Sequence, residues 1–201
     1  MAYINYAHRL VQLKIVYCGC GLCGKTTNLQ VVHASLRNTQ KSELVSLATR
    51  EDRTLLFDFM SLETKLLNGF SVRFQLYTVP GQAIYTSTRR LVLNGADGVV
   101  FVADSQPGRF QENVSAFRDM EANLEENRLS LAQVPYVLQY NKRDMPNAVP
   151  LEYLEEALNS RYPRVQAFQS VATTGFGVME TLNCAAGLVV QRFSAAAASS
   201  A

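Results

Sequence analysis

The chain has 201 residues and a mass of 22.3 kDa, enough for one domain with a sizeable core. Apolar residues make up 48% and charged residues 18%, a balance that excludes a disordered chain for most of the length. With 19 Lys and Arg against 17 Asp and Glu, the net charge is only +2, and no basic stripe marks a nucleic-acid partner.

Strand-like and helix-like stretches then alternate along the chain, the pattern of a layered α/β fold. Residues 11–17 read as a buried strand, followed by a glycine-rich turn and a helix over residues 25–35. Residues 37–53 are polar with mixed charge and read as a loop. Residues 55–59 and 70–77 read as two strands of a hairpin turning at Asn68-Gly69. A short helix is predicted over residues 85–93. GVVFVA, residues 98–103, is a continuous apolar run of the kind buried on both faces of a sheet. An amphipathic helix over 111–127, a buried strand over 136–140, a helix over 151–158, a strand over 165–170 and a helix over 178–193 complete the chain. The sum is six strands and five helices, with one antiparallel hairpin in an otherwise parallel sheet. Residues 195–201 are low-complexity and read as a disordered tail, leaving one domain over residues 1–194.

No uninterrupted apolar run is long enough to span a bilayer. The opening MAYINYAHRL lacks a signal peptide's apolar segment, Ala2 does not support myristoylation, and the final residues carry no prenylation box. The expectation is a cytoplasmic protein without a lipid anchor, placed in the cell by protein partners. Of the four cysteines, Cys18, Cys20 and Cys23 form C-x-C-x-x-C and Cys184 stands apart. Zinc wants a second ligand pair, and neither His8 nor His33 supplies one, so the spacing is better explained by a phosphate loop.

That loop is Gly19, Cys20, Gly21, Leu22, Cys23, Gly24, Lys25 and Thr26, a match to G-x-x-x-x-G-K-[ST] lying between a strand and a helix. Successive N–H groups of such a turn and the N-terminus of the next helix converge on an anion. Lys25 adds positive charge for the outer phosphates, and the Thr26 hydroxyl can ligate Mg²⁺. The same residues contain G-x-G-x-x-G, the dinucleotide fingerprint, but that reading wants an acidic residue closing the next strand, and Glu43 sits in the polar loop.

Asn141-Lys142-Arg143-Asp144 selects the base. It follows a buried strand at its carboxyl end, where α/β sheets bind ligands. The Asp144 carboxylate can accept two hydrogen bonds from guanine's N1–H and exocyclic amine, a pair that adenine lacks. Asn141 can tie this loop to the phosphate loop, and the stem of Lys142 can cover the base; the bland alternative is a polar turn before Pro146. Between the two motifs lies Thr78-Val79-Pro80-Gly81-Gln82, where a glycine N–H can meet a terminal phosphate and a glutamine can orient water. Its bland alternative is a turn.

On these residues the chain resembles the Ras-like small GTPases, and among them the bacterial MglA family of polarity and gliding-motility switches. The resemblance covers residues 3–193 and rests on YINYA, GLCGKTTNLQ, DRTLLFDF, LYTVPGQ, GVVFVADSQ, YNKRDMPNAVP and VATTGFGV. It implies the three-layer fold of P-loop NTPases, GTP and GDP as ligands with Mg²⁺, and slow GTP hydrolysis. By it, Gly19 to Thr26, with Thr27 and Gly81, bind the phosphates, while Thr26 and Thr54 ligate Mg²⁺. Gln82 positions the water, and Arg53 is an arginine finger supplied by the GTPase itself. Asn141, Lys142 and Asp144 read guanine, and the backbone around Val171 and Ala172 contacts its oxygen. It further implies an MglB-like homodimer of roadblock type that stimulates hydrolysis, and effectors that read the GTP state. GTP and Mg²⁺ would order residues 37–60 and 79–94.

Two departures stand out. Ras-type proteins carry Asp where this chain has Thr78, an exchange that the MglA family shares and that makes Asp58 a candidate substitute for Mg²⁺ support. Cys20 stands where that family more often has proline, and a thiol there, near Lys25 and a helix N-terminus, is expected to have a lowered pKa. The competing function is a nucleotide-gated interaction module with negligible hydrolysis. An ATP-dependent kinase fits neither the base motif nor the absence of a lid segment. Arg53 has a bland reading as a loop charge beside Asp52 or Glu51, and Arg89-Arg90 read as solvated helix charges. Phe57, Phe59, Phe70, Phe74 and Phe101 read as sheet-face packing, with Phe70 and Phe74 on one face.

Overall fold

A computed structural model of the chain describes residues 3–36, 41–48, 54–65, 70–81 and 86–199. In chain order the strands are β1 (Tyr3–Asn5), β2 (Leu10–Cys18), β3 (Val45–Ala48), β4 (Thr54–Lys65), β5 (Ser71–Thr78), β6 (Gly98–Asp104), β7 (Tyr136–Asn141) and β8 (Ala167–Gln169). The helices are α1 (Lys25–Ser35), α2 (Thr86–Leu93), α3 (Phe110–Glu126), α4 (Leu151–Leu158) and α5 (Val178–Ser199). All eight strands form one sheet in the order β3-β4-β5-β2-β6-β7-β8, with β1 on β2. The amino-terminal half of β2 pairs with β1, and its carboxyl half, from Ile15, pairs with β6. Thus β1 fills the part of that edge that β6 leaves open.

The layers follow from the two-residue period of a strand. Val11, Leu13, Ile15 and Tyr17 of β2 face Leu29 and Val32 of α1 and Val178, Leu182, Ala185 and Val189 of α5. Val16 and Cys18 face the other way, onto Leu93 of α2, Phe117 and Leu124 of α3, and Leu154 of α4. Every residue of β6 and β7 is buried, as strands covered on both faces must be. Phe70 and Phe74 share the α1 side, and Phe101 is buried on the other. Phe57 is part of β4, but its side chain lies outside the described residues.

The sheet is larger than six strands. β1 and β3 are short, and β3 falls inside the polar stretch 37–53 read as loop. Among the described residues antiparallel pairs number three, β1–β2, β3–β4 and β4–β5, rather than one hairpin. α5 continues to Ser199, so residues 195–199 are helical and not a disordered tail. Alanine has the highest helix propensity, which extends α5 past the point where packing stops. Among the described residues, no helix is long and apolar enough to cross a membrane.

Candidate functional site

The strand order reverses at β2: β5 lies on one side of it and β6 on the other. A crevice opens at such a point beyond the strands' carboxyl ends. Five chain segments meet there: the turn after β2, the residues after β5, and the ends of β6, β7 and β8.

Residues 19–24 wrap around the Lys25 side chain, which is buried. Its ammonium donates to the carbonyls of Cys20 (2.7 Å) and Gly19 (3.1 Å) and lies 3.5 Å from Cys23 Sγ. A cation held at the centre of a turn that opens onto a helix N-terminus is an anion site by construction. Gly24, at φ 102°, caps that helix. Gly81 packs so closely on the turn that a Cβ there would sit 2.5 Å from the Gly21 nitrogen. Only glycine fits at that approach, which places its backbone against the loop. Thr27 follows Thr26 in the first turn of α1.

A carboxylate stands beside this cradle. The Thr26 hydroxyl donates to Asp58 Oδ2 at 2.6 Å, and Asp58 is fully buried. Thr78 holds Asp58 twice: its hydroxyl accepts from the Asp58 amide (2.8 Å) and donates to Oδ2 (2.9 Å). The β4–β5 ladder starts one residue on, at Phe59 opposite Tyr77, so the Thr78 hydroxyl extends the pairing by a side chain. The threonine at position 78 and the aspartate at 58 are therefore one unit. They put negative charge beside the Thr26 hydroxyl from a different strand than the one that ends at position 78. Hard oxygen donors at a helix N-terminus suit Mg²⁺, so the residues present fit that ion. The backbone of Thr54 starts β4, while its side chain lies outside the described residues, as do Arg53 and Gln82 entirely.

Asn141, the last residue of β7, joins three segments. Its amide nitrogen donates to the Cys23 carbonyl (2.8 Å), and its oxygen accepts from Ser170 Oγ (3.1 Å) and from the Ala172 N–H (2.9 Å). The tie to the phosphate loop expected from sequence is present, and it extends to the turn after β8. Lys142 has positive φ (64°) and its ammonium contacts Asp104 Oδ2 (2.6 Å) and Gln106 Oε1 (3.2 Å), which fixes the stem at the end of β6. Asp144 is exposed. The amides of Val171 and Ala172 point at Phe176 O and Asn141 Oδ1, so both are engaged within the protein.

Several supporting residues carry no motif. Asn113 of α3 accepts from the Asp104 amide (2.9 Å), donates to the Asp104 carbonyl (2.8 Å) and accepts from Cys20 Sγ (3.3 Å). Asn28 of α1 donates to the Gly24 carbonyl (2.9 Å) and accepts from Gln139 of β7 (2.9 Å). Their signal in the sequence is faint: an asparagine at a position where the helical period calls for an apolar residue. Arg89 is not a solvated charge; it is largely buried and faces Asp119 of α3 at 3.6 Å. Arg90 is exposed and pairs with Glu126.

The cysteines correct another expectation. All four are free thiols. The neighbouring Cys23 and burial both push the Cys20 thiol up, and its proton goes to Asn113 Oδ1. Cys23 is the acidic partner: burial pushes it up, but the neighbouring Cys20 thiol and the Lys25 ammonium outweigh that and bring it down to about 6. Burial first, and then the neighbouring Cys23, raises Cys18 to about 12 against the pull of Lys25 and Arg89.

Comparison with known proteins agrees with this geometry. The family described as the ADP-ribosylation factor family (Arf) matches residues 4–187. The mutual gliding-motility protein MglA of Myxococcus xanthus (strain DK1622) is 50% identical over 190 residues, which span 94% of this chain and 96% of that protein. A phosphate cradle and a base loop joined through Asn141, on a sheet that reverses at β2, across a match of this extent, show that the chain belongs to the MglA family of Ras-like small GTPases, which bind guanine nucleotide and hydrolyse GTP.

Proposed function

We propose that this protein is a GTP-dependent switch with slow intrinsic hydrolysis, stimulated by a roadblock-type homodimer and controlling cell polarity or motility. The observation that carries the nucleotide reading is Asn141, whose one side chain fixes the Cys23 carbonyl of the phosphate loop and the Ala172 amide of the base-side turn. A ligand that fills both sites has a phosphate end and a base end at a set separation. The motility reading is supported by the 50% identity to the mutual gliding-motility protein.

The roles follow from chemistry. Gly19 to Thr27 and Gly81 bind the phosphates through backbone amides, with Lys25 turning from the loop carbonyls to the anion. Asp144 accepts from guanine, Asn141 and Lys142 fix the walls, and the turn at Val171 and Ala172 closes over the base edge. Thr26 and Thr54 would hold Mg²⁺, which when bound offsets charge on the phosphate oxygens. Gln82 orients water, and Arg53 stabilises the charge that develops on the transferred group.

Two experiments test this. Fluorescent GTP and GDP should bind and ATP should not compete. Asp144→Ala should weaken GTP by about 2–4 kcal/mol, from the loss of two charge-assisted hydrogen bonds. Equal competition by ATP sinks the base assignment. In single-turnover assays with the partner homodimer, Gln82→Leu and Arg53→Ala should retain GTP binding and lose at least roughly a hundredfold in hydrolysis. Turnover at the unmodified rate in both variants removes their roles. Undetectable hydrolysis by the unmodified protein, with and without partner, selects the interaction-module reading instead.

A further inference from the structure

We propose that Asp104 is a positioning residue for guanine recognition: it anchors the Lys142 ammonium, and so sets the Lys142 stem where it lies against the base. The proposal rests on the nucleotide reading above.

The first observation is the residue type. β6 runs GVVFVAD, and every side chain in it is buried. Six apolar or small residues are what a covered central strand requires, and an aspartate at its end is not. A buried carboxylate without a partner is strongly unfavourable, so its presence calls for one. Lys142 is the cation that contacts it among the described residues, with Nζ 2.6 Å from Oδ2. The second observation is the backbone. Asp104 lies opposite Asn141 in the β6–β7 register, and Lys142 is the next residue on. Lys142 leaves the strand at φ 64°, a left-handed conformation that costs a non-glycine residue free energy. The contact with Asp104 offsets that cost and holds the turn in place.

Third, the anchor is itself immobile. Asp104 Oδ1 accepts from the Gln106 amide at 3.0 Å, so each carboxylate oxygen has its own partner. Asn113 of α3 clamps the Asp104 backbone from both sides, accepting from its N–H at 2.9 Å and donating to its carbonyl at 2.8 Å. The same Asn113 oxygen accepts from Cys20 Sγ at 3.3 Å, which ties the anchor to the phosphate loop. Fourth, Lys142 is only half-buried. Its flexible stem would gain conformational freedom in water, and a fully buried partner is what stops it. Asn141 thus joins the base loop to the phosphate loop by one path, and Lys142 reaches it by another, through Asp104 and Asn113. The second path fixes a side chain in advance of binding, so ordering it is not charged against nucleotide affinity.

The test uses the full chain with Mg²⁺ and measures displacement of fluorescent GDP by GDP and by inorganic pyrophosphate. Pyrophosphate occupies the phosphate cradle and has no base. Asp104→Asn keeps the shape and removes the charge. Lys142→Met keeps an apolar stem and removes the ammonium. Each should weaken GDP by about tenfold and leave pyrophosphate within about twofold of the unmodified protein. The double variant should be no weaker than the worse single one, since both remove the same contact. Unchanged GDP affinity in either variant overturns the proposal. So does an equal loss for pyrophosphate, which would make Asp104 a merely structural residue, or a double variant whose losses add. If Asp104→Asn does not fold, Lys142→Met alone decides by the split between GDP and pyrophosphate. Failure of the unmodified protein to bind GDP would remove the nucleotide reading and this proposal together, whereas unchanged variants of a protein that binds GDP remove this proposal only.

Discussion

The Lys25 side chain sits where two needs conflict. Without an anion it is held by the Gly19 and Cys20 carbonyls and lies beside the Cys23 sulfur. This has a pH signature in the nucleotide-free protein. The Cys23 thiol is depressed to about 6 when folded, against an ordinary thiol value of 9.0. A group whose pKa falls on folding contributes stability that is fully present above the unfolded value and lost as pH drops through the folded one. Between about pH 9 and pH 6, unmodified protein should lose its urea-midpoint advantage over Cys23→Ala progressively, and its ultraviolet thiolate absorbance should vanish with a midpoint near pH 6. A thiolate midpoint at or above the ordinary thiol value refutes the assignment. Sequence pattern located Lys25 at the centre of its turn and Asn141 as the tie between loops because each belongs to a spaced motif. It chose the wrong cysteine because a thiol's acidity depends on what burial hides and what it donates to, and neither has a spacing.

At the scale of elements, the ion-supporting carboxylate rides on β4 while the hydroxyl that it accepts from rides on α1. Thr78 of β5 is the clasp between them. Removing the charge should therefore change ion dependence more than nucleotide recognition. Asp58→Asn is expected to raise the Mg²⁺ concentration that slows GDP release by about tenfold, measured by fluorescent-nucleotide dissociation across a magnesium series, with base preference unchanged. An unaltered magnesium midpoint would detach Asp58 from ion support. The exchange of Asp for Thr at position 78 was legible in the sequence, and Asp58 was its candidate compensation. The 2.8 and 2.9 Å hydrogen bonds that couple them were not, because cross-strand neighbours are set by register. β3 escaped for a related reason: the four-residue strand Val45–Ala48 sits in a polar stretch and is stabilised by pairing with β4, not by its own period.

Across the whole molecule, the two sides of β2 differ in how firmly they are held. β6 and β7 are covered on both faces and paired on both edges, while β3 is an edge strand that, among the described residues, pairs only with β4. Their amides should exchange hydrogen accordingly. β6 and β7 should open only on global unfolding, and β3 should exchange faster by roughly a thousandfold or more, read by mass spectrometry. Equal protection would mean that the edge is as firmly held as the centre. The alternation of apolar runs and amphipathic helices made this layering readable from sequence, since GVVFVA can lie only at the covered centre. The continuation of α5 through residues 195–199 was not, because an alanine-rich stretch looks like low complexity whether or not it is wound. The base loop and phosphate cradle belong to the firm side, at the ends of β7 and β2, and Asp58 belongs to the edge side. The molecule is thus a vice with one fixed jaw. Through Asp58 the cradle is anchored at the rim of the sheet, so its grip is shared with the edge strands and not with the covered centre alone.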